Sequence, residues 1–173
     1  MKKLAKLTAL LLTGTLLLVL TACGAAPLTS EQQAKQWLLD EINSYRASLD
    51  SSLHPLVEVK ELSDAERIWV EQFRAAGKTR LPRSKTEETY TKWKSMTEKW
   101  THCGSFGWGM SKDESGEWND ILFAKVPANT PEGKAELSAA LKRYPAFSKD
   151  CTFIGIAVVT IDGQMYWSCN VCY

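Results

Sequence analysis

The sequence predicts an α+β protein with helices packed above and below an antiparallel sheet. The C-terminal stretch is the first sign. Phe153 to Ile161 and Met165 to Tyr173 flank Asp162-Gly163, a strong two-residue hairpin turn. Both faces of the first arm are apolar, with Phe153, Gly155, Ala157 and Val159 on one and Ile154, Ile156 and Val158 on the other. A strand of that kind must be covered on both sides. The second sign is upstream, where four segments carry apolar residues at helical spacing behind recognisable start signals.

Residues 1–23 precede these elements. Lys2, Lys3 and Lys6 are followed by the apolar run Leu7 to Leu20 and then Thr21-Ala22-Cys23. That order is a secretory signal, and Leu20-Thr21-Ala22-Cys23 resembles a bacterial lipobox, in which Cys23 is acylated. The expected organisation is a signal peptide over 1–22, a lipidated cysteine and short tether over 23–29, and a single domain over 30–173. Two acyl chains on one cysteine suffice for stable anchoring, and the tether reaches roughly 20 Å at full extension. Localisation at a bacterial cell envelope, extracytoplasmic and lipid-anchored through Cys23, follows as an expectation.

The first helix is expected near Ser30, with Thr29 or Ser30 as N-cap and Gln32 or Gln33 reaching back. Ala34, Leu38, Ile42, Tyr45 and Leu49 form its stripe. A second helix is read from the capping box Ser63-Asp64-Ala65-Glu66, facing inward through Ala65, Ile68, Trp69 and Phe73 and stopping at Gly77. A third opens at Ser84 and carries Tyr90, Trp93, Met96 and Trp100. Residues 103–119, rich in Gly, Ser and charge, read as a loop, and Asp120 to Val126 as a short strand. Thr130-Pro131-Glu132 starts a fourth helix, which Pro145 ends.

Of the five cysteines, four remain beyond Cys23: Cys103, Cys151, Cys169 and Cys172. In an exported protein an even number reads as two disulfides. The hairpin register sets Phe153 opposite Cys172 and places Cys151 diagonal to Cys172. Cys169 and Cys172 lie roughly 10 Å apart along one strand, too far to bridge. The expected pairs are Cys151–Cys172 and Cys103–Cys169. The 21 Lys+Arg and 20 Asp+Glu nearly cancel; losing Lys2, Lys3 and Lys6 leaves 18 against 20. No basic cluster suggests a nucleic-acid surface.

Several motifs, in order, resemble the CAP superfamily of cysteine-rich secretory, antigen 5 and pathogenesis-related proteins. They are Leu39-Asp40-Glu41-Ile42-Asn43-Ser44-Tyr45-Arg46 with its Asn-x-x-Arg helix, Leu53-His54-Pro55-Leu56, Leu62-Ser63-Asp64-Ala65, Thr130-Pro131-Glu132, and the terminal hairpin. The resemblance implies a three-layer α-β-α sandwich. It also implies a cavity of two histidines and two acidic residues able to hold a divalent metal, and there the pattern breaks. Thr79 stands at the first histidine position and Tyr144 at the second. The acidic position falls at Glu117 or Asp120, and His102 is a weak substitute ligand. With two histidines in the chain and no serine in a nucleophile-elbow motif, no catalytic triad is legible.

The reading that follows is a membrane-anchored, non-catalytic binding or interaction module with a degenerate cavity. It needs no cofactor and takes a small apolar ligand or an envelope or protein partner. The alternative is a zinc-dependent hydrolase or protease of peptide or envelope substrates, using His102 with Glu117 or Asp120. A third option is a structural lipoprotein without a pocket. Among seven tryptophans, Trp108 and Trp118 are the candidates for an exposed site.

Overall fold

A computed structural model describes residues 29–173. The expected signal peptide, the expected lipidation site Cys23 and most of the expected tether lie outside the described residues. Helix α1 (Ser30–Leu49) starts on Thr29, whose hydroxyl accepts from the Gln32 amide while the Gln32 side chain accepts from the Thr29 N–H. Of the two caps the sequence allowed, Thr29 with Gln32 is the one used. The Asn43-x-x-Arg46 pair then works as a clamp. Asn43 exchanges two hydrogen bonds with the Leu56 backbone. Arg46, fully buried, donates to the carbonyls of His54, Phe147, Lys149 and Cys151 at 2.8 to 3.1 Å. One guanidinium thus ties α1 to the loop that follows it and to the chain entering the last hairpin.

After the short strand β1 (Val57–Glu58), helix α2 (Lys60–Ala76) begins four residues earlier than expected, with Val59 and not Ser63 as its cap. Ser63 and Glu66 are therefore no capping box. Ser63 donates to Glu58 and accepts from the Ile156 amide, and Glu66 is buried. Gly77 ends α2 in the left-handed conformation, as the sequence indicates. Strand β2 (Arg80–Pro82) leads directly into α3 (Arg83–Thr97).

Most of the region read as a loop is two strands, β3 (His102–Phe106) and β4 (Trp108–Lys112), while β5 (Trp118–Leu122) overlaps the strand expected from Asp120, starting two residues earlier and ending at Leu122. The β4–β5 turn is organised by Asp113, whose carboxylate accepts from the amides of Ser115 and Glu117, the Ser115 hydroxyl and the Asn119 amide group. These bonds hold the Asp113 carboxyl down at about 2. Helix α4 (Pro131–Leu141) is capped by Thr130 with proline in its first turn, and a 3₁₀ turn (Pro145–Ser148) follows. Strands β6 (Phe153–Ile161) and β7 (Gln164–Cys172) close the chain in the anticipated register, Ile161 opposite Gln164 and Phe153 opposite Cys172.

The main sheet has the order β1-β6-β7-β3, antiparallel except that the two-residue β1 runs parallel to β6. A second sheet, β2-β5-β4, is antiparallel. Leu38 and Ile42 of α1, Leu137 and Leu141 of α4, and Phe147 pack on one sheet face against Ile154, Ile156, Val158, Trp167, Cys169 and Val171. Trp69, Val70 and Phe73 of α2 and Trp93 of α3 pack on the other, against Ala157, Val159 and Ile161. The architecture is α+β with helices on both faces of the sheet. Two glycines are fixed by close approach. A Cβ on Gly155 would lie 2.3 Å from the Leu62 carbonyl carbon, and one on Gly107, whose φ is +99°, would lie 2.2 Å from the Trp167 oxygen.

The disulfide pairing differs from expectation. Cys103 bonds Cys151, with Cα atoms 6.9 Å apart, while Cys169 and Cys172 are buried free thiols. Strand alternation does not extend back to Cys151, because β6 begins at Phe153 and the Cys151 amide turns to bond the Lys149 carbonyl. Cys151 therefore faces the core on the α1 side. Cys103 occupies an irregularity between His102, opposite Cys172, and Gly104, opposite Val171, and also packs against that core. The disulfide staples β3 to the entry of β6 beside the end of β7.

Candidate functional site

Among the described residues no three His, Cys, Asp or Glu side chains converge in a way that could hold a metal ion. The five residues placed at the degenerate cavity do not share one. Thr79 lies beside β2, its carbonyl accepting from the Leu122 amide. Asp120 is fully buried, paired with Arg83 at 3.0 Å and bonded by the Thr86 hydroxyl. Glu117 is exposed in the β4–β5 turn. Tyr144 and His102 line two separate clefts. The donor set for zinc is thus dispersed, and these residues do not fit the metal centre that the resemblance implies.

The first cleft, of ≈ 310 Å³, opens around Tyr144 between α4 and the edge of β7. The chain leaving β5 runs along β7 here, with Val126 bonding Met165 and Trp167 bonding Ala124. Phe106, Leu137 and Trp167 form a buried floor, and Phe123, Ala140 and Tyr144 form the walls. The Tyr144 ring stands edge-on to Phe106 at 4.5 Å. Lys125, Arg143 and Glu136 stand at the mouth, and none of the three forms an ion pair among the described residues. An apolar trough with surplus positive charge at its rim suits an apolar body with an anionic end.

The second cleft, of ≈ 380 Å³, lies between α3 and the β3–β4 strands. Tyr90, Trp93, Trp100 and Trp108 line it, with His102 and Ser105 joined by a 3.0 Å hydrogen bond. Partial burial lowers the His102 pKa, with the nearby Asn170 side chain opposing. Trp93 is fixed from behind, because its indole N–H donates to Glu66 at 2.8 Å and Ser168 donates to the other Glu66 oxygen at 2.6 Å. Complete burial raises the Glu66 carboxyl to about 7 in spite of those two bonds.

Sequence reasoning found His102, Tyr144 and Trp108, but it missed Glu66, Ser105, Phe123, Lys125, Arg143 and Asn170. One signal was available. Ser168 and Asn170 alternate with Trp167, Cys169 and Val171, which puts a polar row on the face opposite the apolar one. Trp118, the other exposed candidate, lines neither cleft and stacks against Lys112.

No family model matches this chain, and no curated protein sequence matches it. Among solved structures, a cysteine-rich secretory protein from Staphylococcus aureus subsp. aureus Mu50 is similar over 86% of this chain, with a TM-score of 0.47 and 10% identity. This chain spans 41% of that protein's length.

Proposed function

We propose that the protein is an extracytoplasmic, lipid-anchored binding module without catalytic activity or cofactor. Its ligand is a small apolar molecule with an acidic end, seated in the Tyr144 groove. The observation that carries this reading is the apolar floor of Phe106, Leu137 and Trp167 beneath Lys125 and Arg143, which form no ion pair among the described residues. Support for the compartment comes from the leader ending in Leu20-Thr21-Ala22-Cys23 and from the disulfide, a bond favoured in oxidising surroundings. Among the described residues no helix is long and apolar enough to cross a membrane.

The test is titration of the full-length, oxidised protein with a fluorescent long-chain carboxylate. Saturable binding is expected, lost when Ala140→Trp fills the groove and weakened about tenfold by Arg143→Ala. Binding that ignores both substitutions, or no saturable binding, refutes the reading. The anchor is tested separately, by incorporation of labelled palmitate in cells, which Cys23→Ser abolishes.

A further inference from the structure

We infer that the His102 cleft is a second binding site, for a neutral saccharide. The inference rests on the binding-module reading and adds a ligand class and a site to it. The two clefts are chemically unlike. The Tyr144 groove is lined by Leu137, Ala140, Ala124 and Pro127 as well as rings, whereas no aliphatic residue of that kind lines the His102 cleft. Its walls are aromatic, and its remaining surface carries hydroxyl, imidazole and charged groups. A ligand matching it must present a flat, weakly polar face to rings and hydrogen-bonding groups along its edge. A pyranose ring does both, and an acyl chain does only the first.

Charge narrows the class further. Lys94, in the last turn of α3, and Glu98, the residue that caps its C-terminus, stand at the rim with opposite signs. His102 adds no firm positive charge, because partial burial favours its neutral form. The rim therefore favours neither an anion nor a cation. Imidazole and hydroxyl together can donate and accept, which suits sugar hydroxyls.

Two observations point to a prepared site. Trp93 is held by its bond to buried Glu66, so one wall is preorganised. The indole N–H groups of Trp100 and Trp108, two residues that do line the cleft, are buried and without a partner among the described residues. An orphan donor in such a place calls for an acceptor that the chain does not supply. A ligand hydroxyl, or a water that relays to one, meets that need.

The experiment is a titration of the full-length, oxidised protein, followed by tryptophan emission and by calorimetry. The probes are chitotetraose, cellotetraose and maltotetraose, each up to about 10 mM. At least one is expected to bind saturably. His102→Ala, a surface substitution, and Trp108→Ala should each weaken it about tenfold or more, and Trp108→Phe should retain most of it. Arg143→Ala, in the other groove, should leave it unchanged. Because Trp108 packs on Trp69, Tyr90 and Trp93, each variant's melting temperature is measured alongside. If Trp108→Ala unfolds, His102→Ala and Trp108→Phe decide. Failure of all three sugars, binding indifferent to His102→Ala, or competition by indole with no sugar binding overturns the inference. If the fluorescent carboxylate still binds the Tyr144 groove, that failure leaves the binding-module reading standing; if neither probe binds, both fall.

Discussion

Replacing Glu66 by glutamine should remove a pH dependence that the wild-type fold carries. The Glu66 carboxyl is fully buried, receives hydrogen bonds from Trp93 and Ser168, and titrates at about 7 against 4.5 for the free side chain. In the unfolded chain it ionises near 4.5, while in the folded protein it stays protonated until about 7. Between those values the folded state binds more protons, so stability falls as pH rises through the window. A displacement of that size corresponds to about 3 kcal/mol, present in full at pH 4 and lost by pH 8. Urea denaturation of the wild type and Glu66→Gln across that range gives the difference curve, in which other carboxylates cancel. The variant should gain on the wild type by about 2 to 3 kcal/mol between pH 5 and 8. A flat difference curve, or one of opposite slope, would refute the assignment of a neutral buried acid at this position.

Arg46→Met should cost about 3 to 5 kcal/mol in the same assay, since it strips four carbonyls of their donor and two of those bonds are fully buried; a loss below about 1 kcal/mol would mean that water replaces the guanidinium. Paired Cys103→Ser and Cys151→Ser substitutions open a crosslink spanning 48 residues and should cost about 4 kcal/mol on loop-entropy grounds. Thiol mapping of the native wild type should find Cys169 and Cys172 unreactive until the protein unfolds, because burial raises both thiols; rapid native labelling would contradict their placement. Gly107→Ala drives a Cβ into the Trp167 carbonyl and should lower the melting temperature by several degrees, whereas Gly116→Ala meets no neighbouring atom and carries only its backbone strain.

What could be read beforehand was what the chain signals locally. Thr29 with Gln32, Thr130 with Pro131, Gly77 and Asp162-Gly163 are short-range devices, and α1, α4, the end of α2 and the β6–β7 hairpin fell close to where they indicate. Strands β3 and β4 were hidden because Gly104, Gly109 and Ser111 lack the bulk of a strand signature. Their stability comes from pairing that the local pattern does not carry, such as Phe106 opposite Cys169 and Gly109 opposite Ile121. Glu66 was misread because a carboxylate three residues after a serine fits a cap as well as a buried acid. The cavity residues came from resemblance, and the positions it indicated went to other tasks: Asp120 holds Arg83, and Tyr144 walls an apolar groove. The disulfide was misassigned because a strand rule was applied to Cys151, two residues outside the strand.

Ser105 and Phe106 are adjacent in β3 yet serve opposite clefts, the serine beside His102 and the phenylalanine in the floor under Tyr144. Trp167 and Ser168 repeat the division on β7, one lining the groove and the other bonded to Glu66. The two clefts therefore lie on the two sides of a single pair of strands, out of phase by one residue. Neither can be re-registered alone. One residue inserted ahead of Ser105 would exchange what β3 contributes to the two clefts, turning a ring toward the imidazole and a hydroxyl into the hydrocarbon trough. Evolution of one surface through insertions or deletions in this segment is barred by the other, and change at either is confined to point substitutions on its own side.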